Sequence, residues 1–548
     1  MLQVYFSEKY ENILFSQRNG WFFTKFANVN RLISIALAAL VFLASCSRAK
    51  DDGTRLQMRG LVLSTKELAE VDWPSIAAEN GINTIGTHIT PSEVLGFLDT
   101  EEGRKFMRDC KRRGITVEHQ LHAMGELLPR NLFEEDSTMF RMDSDGRRTP
   151  DFNCCVHSER ALDIIAANAA MFGRQLKPGN HRYYFWLDDN APVCCCPLCR
   201  EYSPSEQALI VENRMLREIR KADPKAQLAH LAYSHFMDPP RKVLPEEGIF
   251  LEFAPIYRSW EVPLNQEDAL CPRGYPVTNG DNLRWLEANL EVFPAADAVV
   301  LEYWLDVSLF SRWKRPAVEL PWRADVCRSD LATYARYGIR NVTSFAVYMD
   351  AEYFERFPSL QPVQEYASML KSFRHFSGLK DPWDTLEDRT QVSLCSDGKA
   401  LHIAFNVPDS TLTICQGEGE RTVDESDRIE IFLSCDPGMA CYYGFEIDPQ
   451  GKVMDYKNSF YRQFDYGWNS ALQASGKVLP DGYRVEASFP LEFLRSLGLN
   501  PDGGLWTGLY RADAVSPEDI RWYTLVDPQT PEPDFHVPAS LYLEKSRL

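Results

Sequence analysis

The sequence lacks two features that would each direct it towards a particular class of protein. It has no low-complexity tract, so its composition excludes a largely disordered chain and indicates a globular one. It also has no surplus of basic residues, since 59 Lys and Arg stand against 78 Asp and Glu and the formal net charge is −19. Nucleic-acid binding depends on concentrated Lys and Arg, so we expect no nucleic-acid partner and favour a neutral or weakly charged ligand.

The first fifty residues are predicted to be a leader. The apolar run ISIALAALVFLA has the length of a signal peptide and is too short to span a membrane. It ends at Leu43-Ala44-Ser45-Cys46, which resembles a bacterial lipobox, and the resemblance implies that Cys46 is lipidated. The acidic stretch that follows is similar to the tethers of surface lipoproteins of the Bacteroidetes, or is an ordinary solvated linker. We expect residues 1–50 to be signal peptide and tether of an exported lipoprotein, anchored by lipid to the outer membrane, at the cell surface or in the periplasm.

Residues 57–377 are predicted to form an α/β domain. Short β-rich runs alternate there with amphipathic segments, which is the pattern of parallel β/α units. In chain order the runs are RGLVLS, INTIGTHI, ITVEHQLH, YYFWLDDN, QLAHLAY, IFLEFAPI, AVVLEYWL and VTSFAVYMD. Eight such units close a barrel, so we expect a (β/α)8 TIM barrel.

The pattern changes after Ser377. The stretch GLKDPWD is typical of a linker, and alternating runs such as KALHIAFNV, DRIEIFLS and YRVEASFPL follow it with no convincing long helix between them. We therefore expect an antiparallel β-sandwich over residues 381–548.

Polar residues at the strand ends are the first candidates for a site, because the C-terminal ends of the strands form the active face of such a barrel. Asp188, Asp189 and Asn190 end the fourth predicted strand. Carboxylates interleaved with aromatic rings suit sugars. A single Asp could instead cap a helix, and Asn190 could shape a turn. The other residues expected on this rim are His88, His119, His122, Glu252, Glu302, Tyr303, Trp304 and Asp350.

Two adjacent carboxylates can divide the work of glycoside hydrolysis. Two ionised carboxylates would repel each other, so one of them tends to keep its proton and can act as an acid while the other stays charged. Most glycosidases place two carboxylates across the scissile bond, but in some the substrate's own acetamido group attacks. In that scheme one carboxylate holds the acetamide N–H and its neighbour protonates the leaving oxygen. The consecutive pair Asp188-Asp189 suits this second scheme.

The cysteines offer a competing interpretation of the same stretch. Cys196 and Cys199 have the C-x-x-C spacing of a zinc knuckle, and Cys154 and Cys155 could supply two more ligands, but a second C-x-x-C motif is missing. Most of the fourteen cysteines are expected to be buried thiols, since a disulfide framework belongs to small domains without a core. We expect a structural clasp made of thiols, a disulfide or a metal, and we predict no required metal or other cofactor.

The barrel resembles the bacterial domain of unknown function 4838, now glycoside hydrolase family 163. The resemblance is carried by WLDDN with the following C-x-C-x-x-C (Cys194, Cys196, Cys199), by NCCVHSERALDIIAANA and by AQLAHLAY. It covers most of Arg59 to Phe376. It implies a surface or periplasmic endo-β-N-acetylglucosaminidase of gut Bacteroidetes that cuts the chitobiose core of complex N-glycans with retention.

The Asp-Asp pair is also similar to that of hydrolases that remove O-linked N-acetylglucosamine. This likeness implies that Asp188 polarises the acetamide and Asp189 is the acid. Glu302 is the alternative acid, with Tyr303 as the partner of the acetamide oxygen. The residues expected to bind substrate are Arg59, His88, His122, Asn190, Glu252, Tyr303, Trp304 and Asp350.

The predicted sandwich resembles the family-nine carbohydrate-binding modules through DESDRIEIFLS, DYGWNSAL and DGYRVEASFPLEFL. We expect it to brace the barrel. Two other functions stay open. One is a barrel glycosidase of different specificity, such as a glucuronidase, for which Arg59 and Arg258 are the only obvious candidates for a basic subsite. The other is a non-catalytic surface lipoprotein that binds glycans.

Overall fold

The computed structural model describes residues 54–384, 387–516 and 519–545. The predicted leader, with Cys46, lies outside these residues, so lipidation and export stay predictions. Among the helices that are described, none has both the length and the apolar character needed to cross a membrane. The residues from Thr54 onward form one compact unit that contains a barrel and a second sheet.

The first part of this unit is a closed barrel of eight parallel strands, each paired with the next, with β8 paired to β1. This confirms the predicted (β/α)8 fold. The strands are β1 (Met58–Ser64), β2 (Thr84–His88), β3 (Thr116–His122), β4 (Arg182–Trp186), β5 (Gln227–Ala232), β6 (Ile249–Phe253), β7 (Val299–Glu302) and β8 (Asn341–Phe345).

Helices surround the barrel, and several of them begin at capping residues that the sequence provides. For example, Thr100 Oγ1 accepts a hydrogen bond from the Gly103 N–H, and the helix that it caps ends at Gly114, which has a left-handed φ of 71°. The helices of this part are α1 (Thr65–Glu70), α2 (Trp73–Asn80), α3 (Pro91–Leu98), α4 (Glu101–Arg113), α5 (Met124–Leu127), α6 (Glu159–Leu176), α7 (Pro204–Ile219), α8 (Asn279–Leu290), α9 (Val307–Phe310), α10 (Ala324–Arg336), α11 (Ala351–Arg356) and α12 (Gln361–Ser372).

The second part is an antiparallel sheet of twelve described strands. Buried side chains of β10, β11 and β17 share one hydrophobic core with those of β12, β13 and β18, so the sheet folds over on itself as the predicted sandwich. The strands are β9 (Arg374–Lys380), β10 (Glu387–Ser396), β11 (Ala400–Pro408), β12 (Arg428–Ser434), β13 (Cys441–Ile447), β14 (Val453–Ser459), β15 (Phe464–Asp465), β16 (Gln473–Leu479), β17 (Gly482–Pro490), β18 (Leu505–Ser516), β19 (Asp519–Thr524) and β20 (Tyr542–Glu544), with a short helix, α13 (Leu491–Ser496), after β17.

The sandwich follows the barrel almost without a break. Helix α12 ends at Ser372 and β9 begins at Arg374, so the predicted linker GLKDPWD starts inside a strand. The hydroxyl of Ser372 accepts a hydrogen bond from the Ser396 N–H at 2.6 Å and donates to the Ser396 carbonyl oxygen. The end of α12 and the strand β10 therefore share hydrogen bonds at this junction.

Candidate active site

The centre of the barrel's C-terminal face is aromatic. The Trp186 ring, at the end of β4, lies 5.0 Å from the His122 ring and 5.7 Å from the His88 ring, measured between centroids. His88 also contacts Phe345, at 5.2 Å. Burial lowers the pKa of His88 to about 3 and also lowers the pKa of His122, so both imidazoles are neutral at pH 7. The two histidines thus lie where the sequence predicted them, as uncharged groups beside a large ring.

Asp188 follows β4 and is held by a clamp that the sequence did not reveal. Its Oδ2 accepts a hydrogen bond from the Asn153 N–H at 2.5 Å and forms an ion pair with Arg130. In return, the Asp188 N–H donates to Asn153 Oδ1 at 3.1 Å, and Arg130 Nη1 donates to the Asn153 carbonyl oxygen at 2.9 Å. The side chain of Asp188 is 19% exposed. Its orientation is therefore fixed, while part of it remains accessible.

Asp189 has a different environment from its neighbour, because it is exposed. It lies close to Tyr233, which follows β5. Burial is the largest cause that raises the pKa of the Tyr233 hydroxyl well above its usual range, and the charge and hydrogen bonding of Asp189 raise it further. Asp189 also acts on His122, where its charge partly offsets the effect of burial on the pKa. The exposed carboxylate of this pair therefore faces a phenol and a neutral imidazole.

Tyr303 belongs to the same face. Its ring lies 5.3 Å from Phe345 and 5.7 Å from Trp260. Burial is the largest cause of its raised pKa, and Tyr233 and Asp189 add to the shift. The predicted position of Tyr303 therefore agrees with the structure, and its hydroxyl keeps its proton at neutral pH.

Glu302 points from the end of β7 towards the surrounding helices, on the side opposite to Tyr303. This position contradicts its predicted role as an acid on the rim. Its Oε1 accepts hydrogen bonds from Arg258 Nη1 at 3.0 Å and from the Tyr334 hydroxyl of α10, and the side chain is completely buried. Burial raises the pKa of Glu302 to about 7, against the opposing pull of Arg258. Glu302 therefore joins β7 to the surrounding helices and does not face a substrate.

Trp304 and Arg258 belong to the same buried group. Trp304 Nε1 donates to Asp330 Oδ2 at 3.0 Å, and Arg258 Nη1 lies 2.8 Å from that oxygen. Arg258 is completely buried between Glu302 and Asp330. The prediction that Trp304 binds sugar is therefore wrong, and Arg258 is already neutralised and cannot serve a basic subsite.

Glu252 lies in the barrel interior and is not a charged group of the rim. Its Oε2 accepts a hydrogen bond from Trp186 Nε1 at 2.7 Å, and the side chain is completely buried. Burial raises the pKa of Glu252 well above its usual range, against the opposing effect of the Trp186 hydrogen bond. It supports the Trp186 ring from inside the barrel and is not exposed on the rim, where it was expected to bind substrate.

Asp350 and Arg59 were also expected to bind substrate, and the structure gives both another role. Asp350 caps α11 through the Tyr353 N–H at 3.0 Å and is paired with Lys66 and Arg315, so its carboxylate is fully used. Arg59 lies near the start of β1, at the opposite end of the barrel, where its guanidinium donates to the Gly81 and Leu56 carbonyl oxygens. Neither side chain is available to a ligand on the rim.

His119 and Asn190 complete the predicted set. His119 is buried, and its Nδ1 lies 2.8 Å from Thr87 Oγ1. Asn190 is exposed on the loop after β4, has a φ of 47° and accepts a hydrogen bond from the Ser234 hydroxyl at 2.6 Å. The turn-shaping role considered for Asn190 therefore agrees with the structure, and the residue still lies at the edge of the face.

This face also carries a cation that was not among the residues predicted from the sequence. The Arg273 guanidinium lies 5.1 Å from the Trp313 ring centroid, 5.6 Å from that of Tyr257 and 5.7 Å from that of Tyr275. Its Nη1 is buried and has no hydrogen-bond partner among the described residues. Its charge lowers the pKa of Tyr233 against the larger effect of burial. Arg273 lies in the irregular segment after β6, where no periodicity marks it.

Three comparisons relate the chain to known proteins. The model of a family described as a domain of unknown function, DUF4838, matches residues 95–276. No curated protein matches the sequence. Among solved structures, the chain is similar to a β-N-acetylhexosaminidase from Bacteroides fragilis, with 11% identity over 57% of this chain and 65% of the other and a TM-score of 0.37. It is also similar to a GH18 chitinase from Pseudoalteromonas aurantia, with 9% identity over 52% of this chain and 93% of the other and a TM-score of 0.31. A third similar structure is a carbohydrate-binding module of family 9 from Caldicellulosiruptor kristjanssonii in complex with cellotriose, with 19% identity over 30% of this chain and 78% of the other and a TM-score of 0.23. The geometry of the barrel face has to carry any functional conclusion.

Proposed function

We propose that the protein is a retaining glycoside hydrolase that cleaves next to N-acetylglucosamine with the help of the substrate's own acetamido group. One observation carries the proposal: Asp188 and Asp189 are consecutive at the end of β4, yet one is clamped in an ion pair and the other is exposed. A substrate-assisted reaction needs this division between a fixed anion and an accessible acid.

In the proposed reaction the Asp188 carboxylate accepts a hydrogen bond from the acetamide N–H. Both hydrogen bonds that its side chain accepts in the described part of the chain go to Oδ2, which leaves Oδ1 for the substrate. Oδ1 lies beside Gly125, where an added Cβ would be 3.8 Å away, an ordinary van der Waals distance. The acetamide oxygen then attacks the anomeric carbon and forms a protonated oxazoline, whose N–H stays hydrogen-bonded to the Asp188 carboxylate, with Tyr303 as a candidate donor to that oxygen.

Asp189 takes the second role. It gives its proton to the glycosidic oxygen as the bond to the anomeric carbon breaks, and it later takes a proton from the water that opens the oxazoline. The two displacements at the same carbon give net retention of configuration. The exposure of Asp189 beside Tyr233 suits a group that must reach both the leaving sugar and water.

The finer assignment rests on the family-163 resemblance. On that basis we propose that the bond lies within the chitobiose core of complex N-glycans. We also propose that the protein is a lipoprotein attached through Cys46, and that the sandwich braces the barrel. Two tryptophans of the sandwich, Trp506 and Trp522, are partly buried and pack against a hydrophobic core cluster, which supports bracing over sugar binding.

Mass spectrometry of an N-glycoprotein tests this function. A glycoprotein with complex biantennary glycans is incubated with the chain from Asp51 onward, with Asp189→Asn and with the matched control Asp99→Asn, an exposed carboxylate at the end of α3. We expect the wild type and the control to release glycan and leave one N-acetylglucosamine on asparagine, while Asp189→Asn is slower by about 10²- to 10⁴-fold. Tight glycan binding without cleavage would instead identify a glycan-binding protein.

A second candidate, a glycosidase of uronic-acid sugars, is favoured by Arg273. Arg59 and Arg258 are both engaged elsewhere, but Arg273 presents a buried Nη1 that has no hydrogen-bond partner among the residues that the structure describes, and it lies amid aromatic rings. A guanidinium in this setting could bind a sugar carboxylate. Activity on aryl glycosides of uronic acids that is lost in Arg273→Met, with no release from N-glycoprotein, would select this candidate.

A further inference from the structure

Four cysteine sulfurs converge beside the candidate active site. Cys155 lies in the loop before α6, and Cys194, Cys196 and Cys199 lie in the loop after β4. Their Sγ atoms all lie within 4.8 Å of one another, and all four side chains are buried. The Sγ of Cys155 is 3.9 Å from that of Cys196 and 3.8 Å from that of Cys199. We call this group the four-cysteine cluster.

These distances fit a metal ion better than a disulfide. Zinc is bound tetrahedrally by thiolates at about 2.3 Å, which places neighbouring sulfurs about 3.8 Å apart. A disulfide would bring two sulfurs to about 2.05 Å and leave the other two unpaired. We propose that the four-cysteine cluster is a structural zinc site of the Cys₄ type. Binding converts the four thiols to thiolates, whose protons pass to solvent.

The surroundings of the sulfurs support thiolate ligands. The Met142 N–H donates to Cys194 Sγ at 3.3 Å, and the Cys199 N–H donates to Cys196 Sγ at 3.4 Å. Arg148 Nη1 lies 3.7 Å from Cys194 Sγ. Four thiolates around Zn²⁺ carry a net charge of −2, and these N–H groups and the arginine cation would offset it, as partners outside the first ligand shell do in metal sites.

The cluster also explains why the sequence shows only one C-x-x-C ligand pair. The sequence indicated Cys154 and Cys155 as a ligand pair and contains no second C-x-x-C motif. In the structure Cys154 is outside the cluster and Cys194 completes it, so the motif is one cysteine followed by C-x-C-x-x-C. The prediction that the protein needs no metal is therefore replaced by this proposal.

The site would position the candidate catalytic pair without touching substrate. Asn153, which clamps Asp188, lies two residues before Cys155, and Cys194 follows Asp189 by five residues. The two loops also share a backbone hydrogen bond from the Cys195 N–H to the Met142 carbonyl oxygen at 2.8 Å. Zinc bound here would fasten the loop after β4 to the loop that carries the clamp.

Metal analysis of the purified full chain tests the proposal independently of any activity. The amount of zinc per chain is measured by inductively coupled plasma mass spectrometry. The proteins compared are the wild type, the cluster variants Cys155→Ser and Cys199→Ser, and the controls Cys154→Ser and Cys195→Ser. The controls remove neighbouring sulfurs that are not in the cluster. We expect close to one zinc per chain in the wild type and in both controls, and close to none in the two cluster variants.

A second measurement keeps the test valid if the cluster variants fail to fold. Wild-type protein is alkylated with and without a zinc chelator, and its peptides are analysed without reduction. We expect the four cluster cysteines to be protected until the chelator is added, and cobalt loading to give the absorption of tetrahedral thiolate coordination. Disulfide-linked cluster peptides, free alkylation without chelator, or iron in place of zinc would each overturn the proposal.

Discussion

The buried ion pair of Glu302 gives the sharpest prediction about stability, because it separates a structural glutamate from a catalytic one. Arg258 lies between Glu302, at 3.0 Å, and Asp330, at 2.8 Å, and all three side chains are completely buried. Two variants perturb this group in different ways. Glu302→Gln keeps the shape and removes one negative charge, whereas Arg258→Met removes the only cation of the group.

The magnitudes follow from what each variant leaves behind. Removing one partner of a buried ion pair costs about 3–5 kcal/mol of the free energy of unfolding. Glu302→Gln leaves Arg258 paired with Asp330, so we expect a loss at the lower end of this range, about 3 kcal/mol of the free energy of unfolding. Arg258→Met leaves Glu302 and Asp330 buried without a counter-charge, so we expect the upper end, about 5 kcal/mol. The exposed pair Glu135–Arg160 provides the control, since Glu135→Gln should cost less than about 1 kcal/mol.

Urea unfolding at pH 8, followed by tryptophan fluorescence, measures these differences. Glycan release is measured in parallel at a urea concentration where every variant is folded. We expect Glu302→Gln to be less stable and to retain turnover within a few-fold of the wild type. A variant with the wild-type unfolding midpoint and a loss of about 10²-fold or more in turnover would refute the reasoning and return Glu302 to the candidate acids.

Three further predictions concern the groups around the site. Glu252 keeps its proton in the folded state at pH values where the unfolded chain has lost it, so its contribution to stability falls as pH rises above about 4.3. Glu252→Gln should remove that pH dependence in urea titrations and retain turnover. Asp350 behaves oppositely: burial acts to raise its pKa, but Lys66 and Arg315 outweigh burial and lower it, so its contribution is present at neutral pH and is lost as pH falls through the folded pKa. The stability difference between wild type and Asp350→Asn, measured by urea unfolding, should therefore shrink in acid. Arg130→Met should release the Asp188 clamp and lower kcat on N-glycoprotein by about 10²-fold, with partial recovery in Arg130→Lys.

Much of the fold could be predicted because its signals are local. Each barrel strand is a short apolar run, and helix boundaries such as Thr100 and Gly114 are marked by capping residues. The position of Asp188 and Asp189 after β4 could also be predicted, because both residues directly follow an apolar run. These features require no knowledge of which elements pack together.

The direction of side chains at strand ends could not be predicted in the same way. In VLEYW, Glu302 and Tyr303 are neighbours, and a shift of one residue exchanges the one that faces the substrate with the one that faces the helices. The structure assigns Tyr303 to the face and Glu302 to the helices. Arg59 illustrates a related difficulty, because a residue within a predicted strand can lie at either end of the barrel.

Contacts between distant loops were the other feature beyond the sequence. Asn153 and Asp188 are 35 residues apart, and only the arrangement of the loops after β3 and β4 brings them into contact. The same arrangement joins Cys155 to the three later cysteines. The sequence offered Cys155 as a ligand only together with Cys154, because spacing cannot decide which cysteine of another loop completes a site.

The role of Asp189 as the acid is the central claim, and leaving-group dependence tests it most directly. Turnover of wild type, Asp189→Asn and Asp188→Asn is measured on an N-glycoprotein and on an aryl glycoside of the same oligosaccharide, whose phenolate leaves without protonation. We predict that Asp189→Asn loses about 10²- to 10⁴-fold on the glycoprotein but less than about tenfold on the aryl glycoside, while Asp188→Asn is impaired on both. Equal losses of Asp189→Asn on the two substrates, or wild-type turnover on the glycoprotein, would contradict the assignment.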